Sequence, residues 1–172
     1  MLDFAGYEPY QMLHPGLPEN LSRREATAEY EHLMAEKEER KSQILGLMQR
    51  NGLDFTCDHD SYIALTEWIL QHAEPNPQDP ERLRNLWYAV VNDLGLLLGD
   101  CAIQEHPNLR WEMWTRAKRD AFYHRHVITG RPGPKRAPVD FDGLVAVVAH
   151  RAIAGMPVER DDLAAAMAAM GH

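Results

Sequence analysis

His124 and His126 stand two residues apart in a run, Ala121–Ile128, that reads as a strand, so both rings should project to one face. Such an i, i+2 pair is half of a site for zinc or manganese, with further ligands to come from His106, His150, Asp140 or Asp142. Arg125, Lys118 and Arg119 lie beside them, and their positive charge opposes a cation. A small metal-dependent hydrolase on the His124/His126 face is therefore the alternative reading, not the first. Asp93 and Asp100, seven apart, fall on one face of a helical pattern and could work as paired carboxylates, although nothing in the sequence fixes their separation. The triplet Asp58-His59-Asp60 has metal-like composition without the glycine and spaced acids of a calcium loop, and helix capping explains it better.

Neither cysteine sits in a nucleophile context, and there is no G-x-S-x-G elbow, phosphate-binding glycine loop, dinucleotide fingerprint or H-E-x-x-H motif. No catalytic residue and no cofactor is assigned. Cys57 and Cys101 are far apart in sequence and read as two reduced thiols of a cytoplasmic protein. The first residues carry no basic stretch followed by an apolar one, so no secretory signal is expected. The apolar run Leu86–Ile103 is interrupted by Asn92, Asp93 and Asp100 and reads as a buried helix, not a membrane span.

Charge is unevenly spread in this chain of net charge −8. Residues 1–80 hold 6 Lys/Arg against 15 Asp/Glu, 81–136 hold 10 against 6, and 137–172 hold 2 against 5. The middle is thus a basic insert in an acidic protein, with a candidate patch at Arg116, Lys118, Arg119 and Arg125. Cations interleaved with Trp111, Trp114, Phe122 and Tyr123 over 110–136 are the composition of an RNA-binding module, the other alternative reading. The overall acidity counts against nucleic acid.

The elements that must position these residues follow from caps and periodicity. Residues 1–20 are rich in proline and read as an irregular arm, ahead of a single domain over 21–172. Ser22 and Glu25 form a capping box for a helix over 22–51. Its apolar ends, Tyr30–Met34 and Ile44–Met48, flank a polar waist of Glu36, Lys37, Glu38, Glu39, Arg40 and Lys41 that projects into solvent or bridges to a partner. Further helices are expected over 61–73, 80–105, 140–154 and 159–170, the third opening at Asp79-Pro80-Glu81. Strands are expected over 109–115 and 121–129. The fold class is α+β, a mainly helical single domain with a small antiparallel β-hairpin or sheet. Gly95 and Gly99 inside the apolar helix each cost about 1 kcal/mol against alanine, so they predict close approach of another element.

The run LGLLLGDCAIQEHPNLRWEMW followed by YHRHVITG resembles a pattern in small bacterial proteins: an apolar helix with L-G-[DE], a short turn, then a strand led by tryptophan. Proteins that look like this occur among the immunity partners of toxins. The resemblance covers about residues 86–130 and carries no catalytic residue onto the chain. It implies a cytoplasmic protein that binds and neutralises another protein, an immunity or antitoxin-like role. The acidic N-terminal half and the polar waist of the first helix make Glu36, Glu38, Glu39 and Arg40 the expected partner-binding residues, with another protein, a toxin or effector, the expected partner, nucleic acid disfavoured and no membrane.

Overall fold

A computed structural model describes residues 2–116, 118–132 and 137–171. Within them five α-helices, α1 (Arg23–Arg50), α2 (His59–His72), α3 (Asn85–Glu105), α4 (Phe141–Ile153) and α5 (Asp162–Ala168), accompany two antiparallel strand pairs. The strands are β1 (Pro75–Asn76) with β2 (Asp79–Leu83), and β3 (Arg110–Met113) with β4 (His126–Thr129). The mainly helical α+β architecture is the expected one. Residues 133–136, part of the basic proline-rich stretch, lie outside the described residues.

Local chemistry explains the boundaries. Ser22 and Glu25 close the capping box at the start of α1, and the Asp58 carboxylate accepts from the Ser61 amide at the start of α2. Asp140 does the same for Gly143 in α4. Two expectations need correction. The Asp79-Pro80-Glu81 sequence starts no helix: Asp79 accepts from the Glu81 amide in a local turn, and 79–83 pairs with 75–76 instead, so α3 begins only at Asn85. That pairing buries Leu83 fully while leaving Pro80 at an exposed edge, where its missing N–H does no harm. The expected strand over 121–129 also shortens to β4. Asp120 accepts from the Phe122 amide and the Trp114 indole, which winds 118–125 into turns, and His124 adopts a positive φ of 63°.

α3 is the central element, packed against α1 on one side and α4 on the other, with Trp87, Val90, Leu94 and Leu98 fully buried. Long and apolar enough to span a bilayer by composition, it is buried in this fold by its neighbours. Its glycines face packed groups, as their cost implied. A Cβ on Gly99 would lie 2.2 Å from the Trp111 ring of β3, and one on Gly95 would lie 1.9 Å from the Asp142 carboxylate and 2.8 Å from the Asp142 backbone nitrogen. The two glycines let the β3/β4 pair and the first turn of α4 settle directly on the backbone of α3.

The cysteines overturn the expectation of free thiols. Cys57, in the crossing between α1 and α2, forms a disulfide with Cys101 on the buried face of α3, with their Cα atoms 5.4 Å apart. The segment 53–58 must cross α3 because Leu53 is buried and Phe55 packs against the core, which delivers Cys57 to Cys101. Closing a loop over a sequence separation of 44 contributes about 2–4 kcal/mol in the chain-entropy account.

Two outcomes are expected from these packings. Gly99→Ala and Gly95→Ala should each lower stability by about 1–3 kcal/mol, because overpacking exceeds the helix-propensity gain of about 1 kcal/mol. Urea titration of the variants measures this, and a raised midpoint for either would contradict the close approach. Reduction of the disulfide, or Cys57→Ser with Cys101→Ala, should cost about 2–4 kcal/mol in the same titration.

Candidate functional site

The residues singled out for chemistry gather around α3, where most of them hold the fold together. On its α1 side, Asp93 is fully buried and accepts from Arg40 Nε at 3.1 Å, Arg40 Nη2 at 2.6 Å and the Tyr7 hydroxyl at 2.6 Å. Burial lifts Asp93 above the usual carboxylate range, opposed by these donors. Burial alone would lower the Arg40 pKa, but Asp93 outweighs it and raises it, so the guanidinium stays charged. Arg40 also donates to the Glu8 carbonyl at 2.6 Å, which ties the N-terminal arm to the same point. Arg40 is 4% exposed, so it cannot serve on an outer partner-binding face with Glu36, Glu38 and Glu39.

Two helical turns further along α3, Asp100 meets Lys37 Nζ at 2.7 Å, Lys41 Nζ at 2.6 Å and the Trp111 indole N–H at 2.8 Å. Burial alone would raise its pKa, but the two ammonium groups and the indole outweigh it and hold Asp100 below the usual carboxylate range. Asp93 and Asp100 therefore do not face one another as a reacting pair; each is taken up by separate cations from α1. The polar waist of α1 is thus two-sided: Lys37, Arg40 and Lys41 turn in toward α3, and Glu38 and Glu39 turn out.

The histidines part company. His124 lies in the turn before β4, buried, stacked on Tyr123 with ring centroids 3.8 Å apart and with Nδ1 3.2 Å from the Pro18 carbonyl. His126 is on β4, with Nε2 2.8 Å from the Asp142 carboxylate. Burial opposes charge on His126, but Asp142 and then Asp140 prevail and raise its pKa. The arrangement of both rings on one face of a strand does not form, because the positive φ at His124 precedes the strand. Among the described residues no group of three or more His, Cys, Asp or Glu is placed to hold a metal. Asp58 is spent as the cap of α2, and burial and the charge of Asp142 lift Asp140, which lies 2.8 Å from Arg125 Nε.

The basic patch also divides. Arg125 turns to Asp140, Lys118 and Arg119 are exposed, and Arg116 lies over the Trp114 ring, its guanidinium carbon 4.8 Å from the ring centroid. Arg116 instead joins Arg110 and Arg131 around a cleft beside β3 and β4, which sequence spacing does not reveal because the three come from a strand, a turn and a loop. Arg110 and Thr129 are cross-strand partners, and Glu112 lies on the same face two residues on. Gly130, at φ 97°, turns the chain so tightly that a Cβ there would meet the Asn108 carbonyl at 2.2 Å, and this brings Arg131 to the cleft.

Turned outward along the middle of α1 is a stripe, Glu31, Ala35, Glu38, Ser42, Leu45 and Gln49, exposed at helical spacing with Glu39 beside it, while Arg23 and Arg24 are exposed at the start of the helix and Arg50 at its end. Glu38 is held 2.8 Å from Lys41, Glu39 accepts from Gln43, and half-buried Glu36 lies 3.3 Å from His32. Compared with known proteins, the chain matches no family model, no curated protein and no solved structure.

Asp100→Asn removes the charge that balances Lys37 and Lys41 while keeping an acceptor for Trp111. It should cost about 2–3 kcal/mol at pH 7. A carboxylate whose folded pKa is depressed stabilises above its unfolded pKa, about 3.9, and loses that contribution as pH falls through the folded value. The gap between Asp100→Asn and the parent should accordingly narrow as pH falls below that unfolded value in urea titrations across pH. A gap that stays constant as the solution is acidified would show that the carboxylate charge is not what the lysines need.

Proposed function

We propose that the protein binds another protein through the outer face of α1, as an immunity or antitoxin-like protein does when it covers its target. The carrying observation is the separation of roles along the waist. Lys37, Arg40 and Lys41 are consumed inside, which leaves an exposed acidic ridge of Glu31, Glu38 and Glu39 running into Leu45, 37% exposed. An acidic ridge with an apolar end suits a basic, partly apolar partner, and such complementarity raises the association rate more than the affinity. The L-G-D helix and Trp111-led strand that suggest the immunity role are the packed core of α3 and β3, so they specify the scaffold and leave α1 as the recognition element.

The metal-dependent and RNA-binding readings draw less support. His124 and His126 are engaged with separate groups, and the rings of Trp111 and Trp114 are covered by Gly99 and Arg116 and offer no open face for a base. A cytoplasmic location belongs to this proposal, and the disulfide is its check. Such bridges are rare in reducing compartments, so thiols trapped by alkylation at lysis should be free there and bridged in an oxidising one.

Glu31→Lys with Glu39→Lys leaves the inward lysines and Glu38 untouched, so stability should change by less than about 0.5 kcal/mol. A partner recovered with the parent protein should associate with the variant roughly tenfold more slowly, with a flatter salt dependence. Stopped-flow or surface-binding kinetics across ionic strength measure both. An unchanged association rate at low salt would remove α1 from the interface, and a partner whose own activity survives saturation by this protein would remove the immunity role.

A further inference from the structure

We propose that the cleft between the β3/β4 pair and the 130–132 loop is a binding site for a phosphoryl group. Arg110, Arg116 and Arg131 line it together with Thr129, and the one carboxylate among the described residues beside Arg110 and Arg116 is Glu112. Glu112 is too far to satisfy them: its oxygens lie 3.6 Å from Arg110 and 3.9 Å from Arg116, beyond hydrogen-bond reach, while its one close contact is with the Thr129 hydroxyl at 2.9 Å. Among the described residues Arg110 and Arg116 have no other carboxylate. Arg131 gives Nη2 to the Ala169 carbonyl at 3.0 Å, and its Nε is buried without a partner.

Arg110 and Arg116 are held in the open, 64% and 61% exposed, and the surplus of two positive charges among the described residues of the cleft matches the charge of a phosphate monoester, about −1.5 to −2 at pH 7. A monocarboxylate would neutralise half of it. Guanidinium forks and the Thr129 hydroxyl are suited to the several oxygens of a phosphoryl group. The cleft's tryptophan adds no stacking surface for a base, because Trp114 is 7% exposed and lies beneath Arg116. The chemistry therefore points to an isolated phosphate ester or phosphate ion and away from a nucleic-acid strand.

Glu112 competes for the arginines, which gives the proposal an unusual sign. Removing its charge should strengthen binding. Titration of the intact protein with inorganic phosphate, followed by calorimetry and by the Trp114 indole resonance, should show saturable binding that acetate at equal ionic strength does not reproduce. Arg110→Gln and Arg116→Gln should each weaken it roughly tenfold, and Glu112→Gln should tighten it roughly tenfold, with the thermal midpoint of the two arginine variants unchanged. A phosphoserine peptide compared with its unphosphorylated twin separates the sources of the group: tighter binding than inorganic phosphate assigns the cleft to a phosphorylated chain, and equal binding assigns it to free phosphate. Acetate binding as well as phosphate, or a Glu112→Gln protein that binds phosphate no better than the parent, would overturn the site. None of these results depends on the α1 interface.

Discussion

Asp93 is a carboxylate placed where α3 meets α1 with no access to water, and much of the molecule is arranged around that fact. Taking such a group out of water costs several kcal/mol, and a single missing partner would leave that cost uncompensated. Arg40 and the Tyr7 hydroxyl answer it together. To do so, Arg40 must sit in the inward stripe of a helix otherwise apolar there, and the N-terminal arm must fold back so that Tyr7 is buried and Glu8 meets the guanidinium. A well-packed apolar trio of similar volume would hold the helices at least as firmly, so the contribution of the buried pair lies in registry. Only one rotation and offset of α1 on α3 brings Arg40 to Asp93 and, at the same time, Lys37 and Lys41 to Asp100.

The same helix takes its other neighbours at closer range. A Cβ at Gly95 would lie 1.9 Å from the Asp142 carboxylate and one at Gly99 would lie 2.2 Å from the Trp111 ring. Trp111 then completes the ligand set of Asp100 with its indole N–H, so the glycine that admits the ring also admits the hydrogen bond. Carboxylate, lysines, indole and glycine form one unit that joins α1, α3 and β3. Residues that look available for chemistry in the sequence are in this way committed to holding elements together.

Helix existence and most helix starts were legible because capping is local: Ser22 with Glu25, Asp58 with Ser61 and Asp140 with Gly143 act within four residues. The close approach at Gly95 and Gly99 was legible from its energetic cost alone. The false start at Asp79 was not, because the choice between cap and turn is decided by the burial of Leu83 and its pairing with Pro75. The disulfide joins residues whose meeting depends on where α1 ends and α3 lies, which spacing does not state. The waist of α1 did hold a readable signal. Ala26, Leu33, Arg40 and Leu47 recur every seven residues and all are buried, so Arg40 continues an apolar stripe in which only a buried acid could receive it. Asp93, beside Val90, Leu94 and Leu97 on an apolar helix, was the complementary half of that signal. The arginine cleft left no comparable trace, since its three members share neither an element nor a period.

Sorting the charges by what the fold consumes changes what the surface can offer. The net acidity of the sequence overstates the anionic character of the interior face of α1 and understates that of its outer face, where Glu31, Glu38 and Glu39 remain after the lysines and Arg40 turn in. The basic insert is likewise reduced by Arg125, taken by Asp140, and concentrated at Arg110, Arg116 and Arg131. Tyr30 is the residue of α1 that feels the charge of the β3/β4 side. It is half-buried on α1, and its hydroxyl pKa is raised first by burial and then by the charge of Glu112 in the cleft. Glu31, on the exposed stripe, follows Tyr30 directly in sequence. A surface with opposite charges side by side orients an approaching partner as well as attracting it, because only one orientation satisfies both fields. Where the acidic stripe and the basic cleft stand is set by the packing of α1 and β3 on α3, so the layout of surface charge has its origin in the buried contacts of Asp93, Asp100 and Gly99.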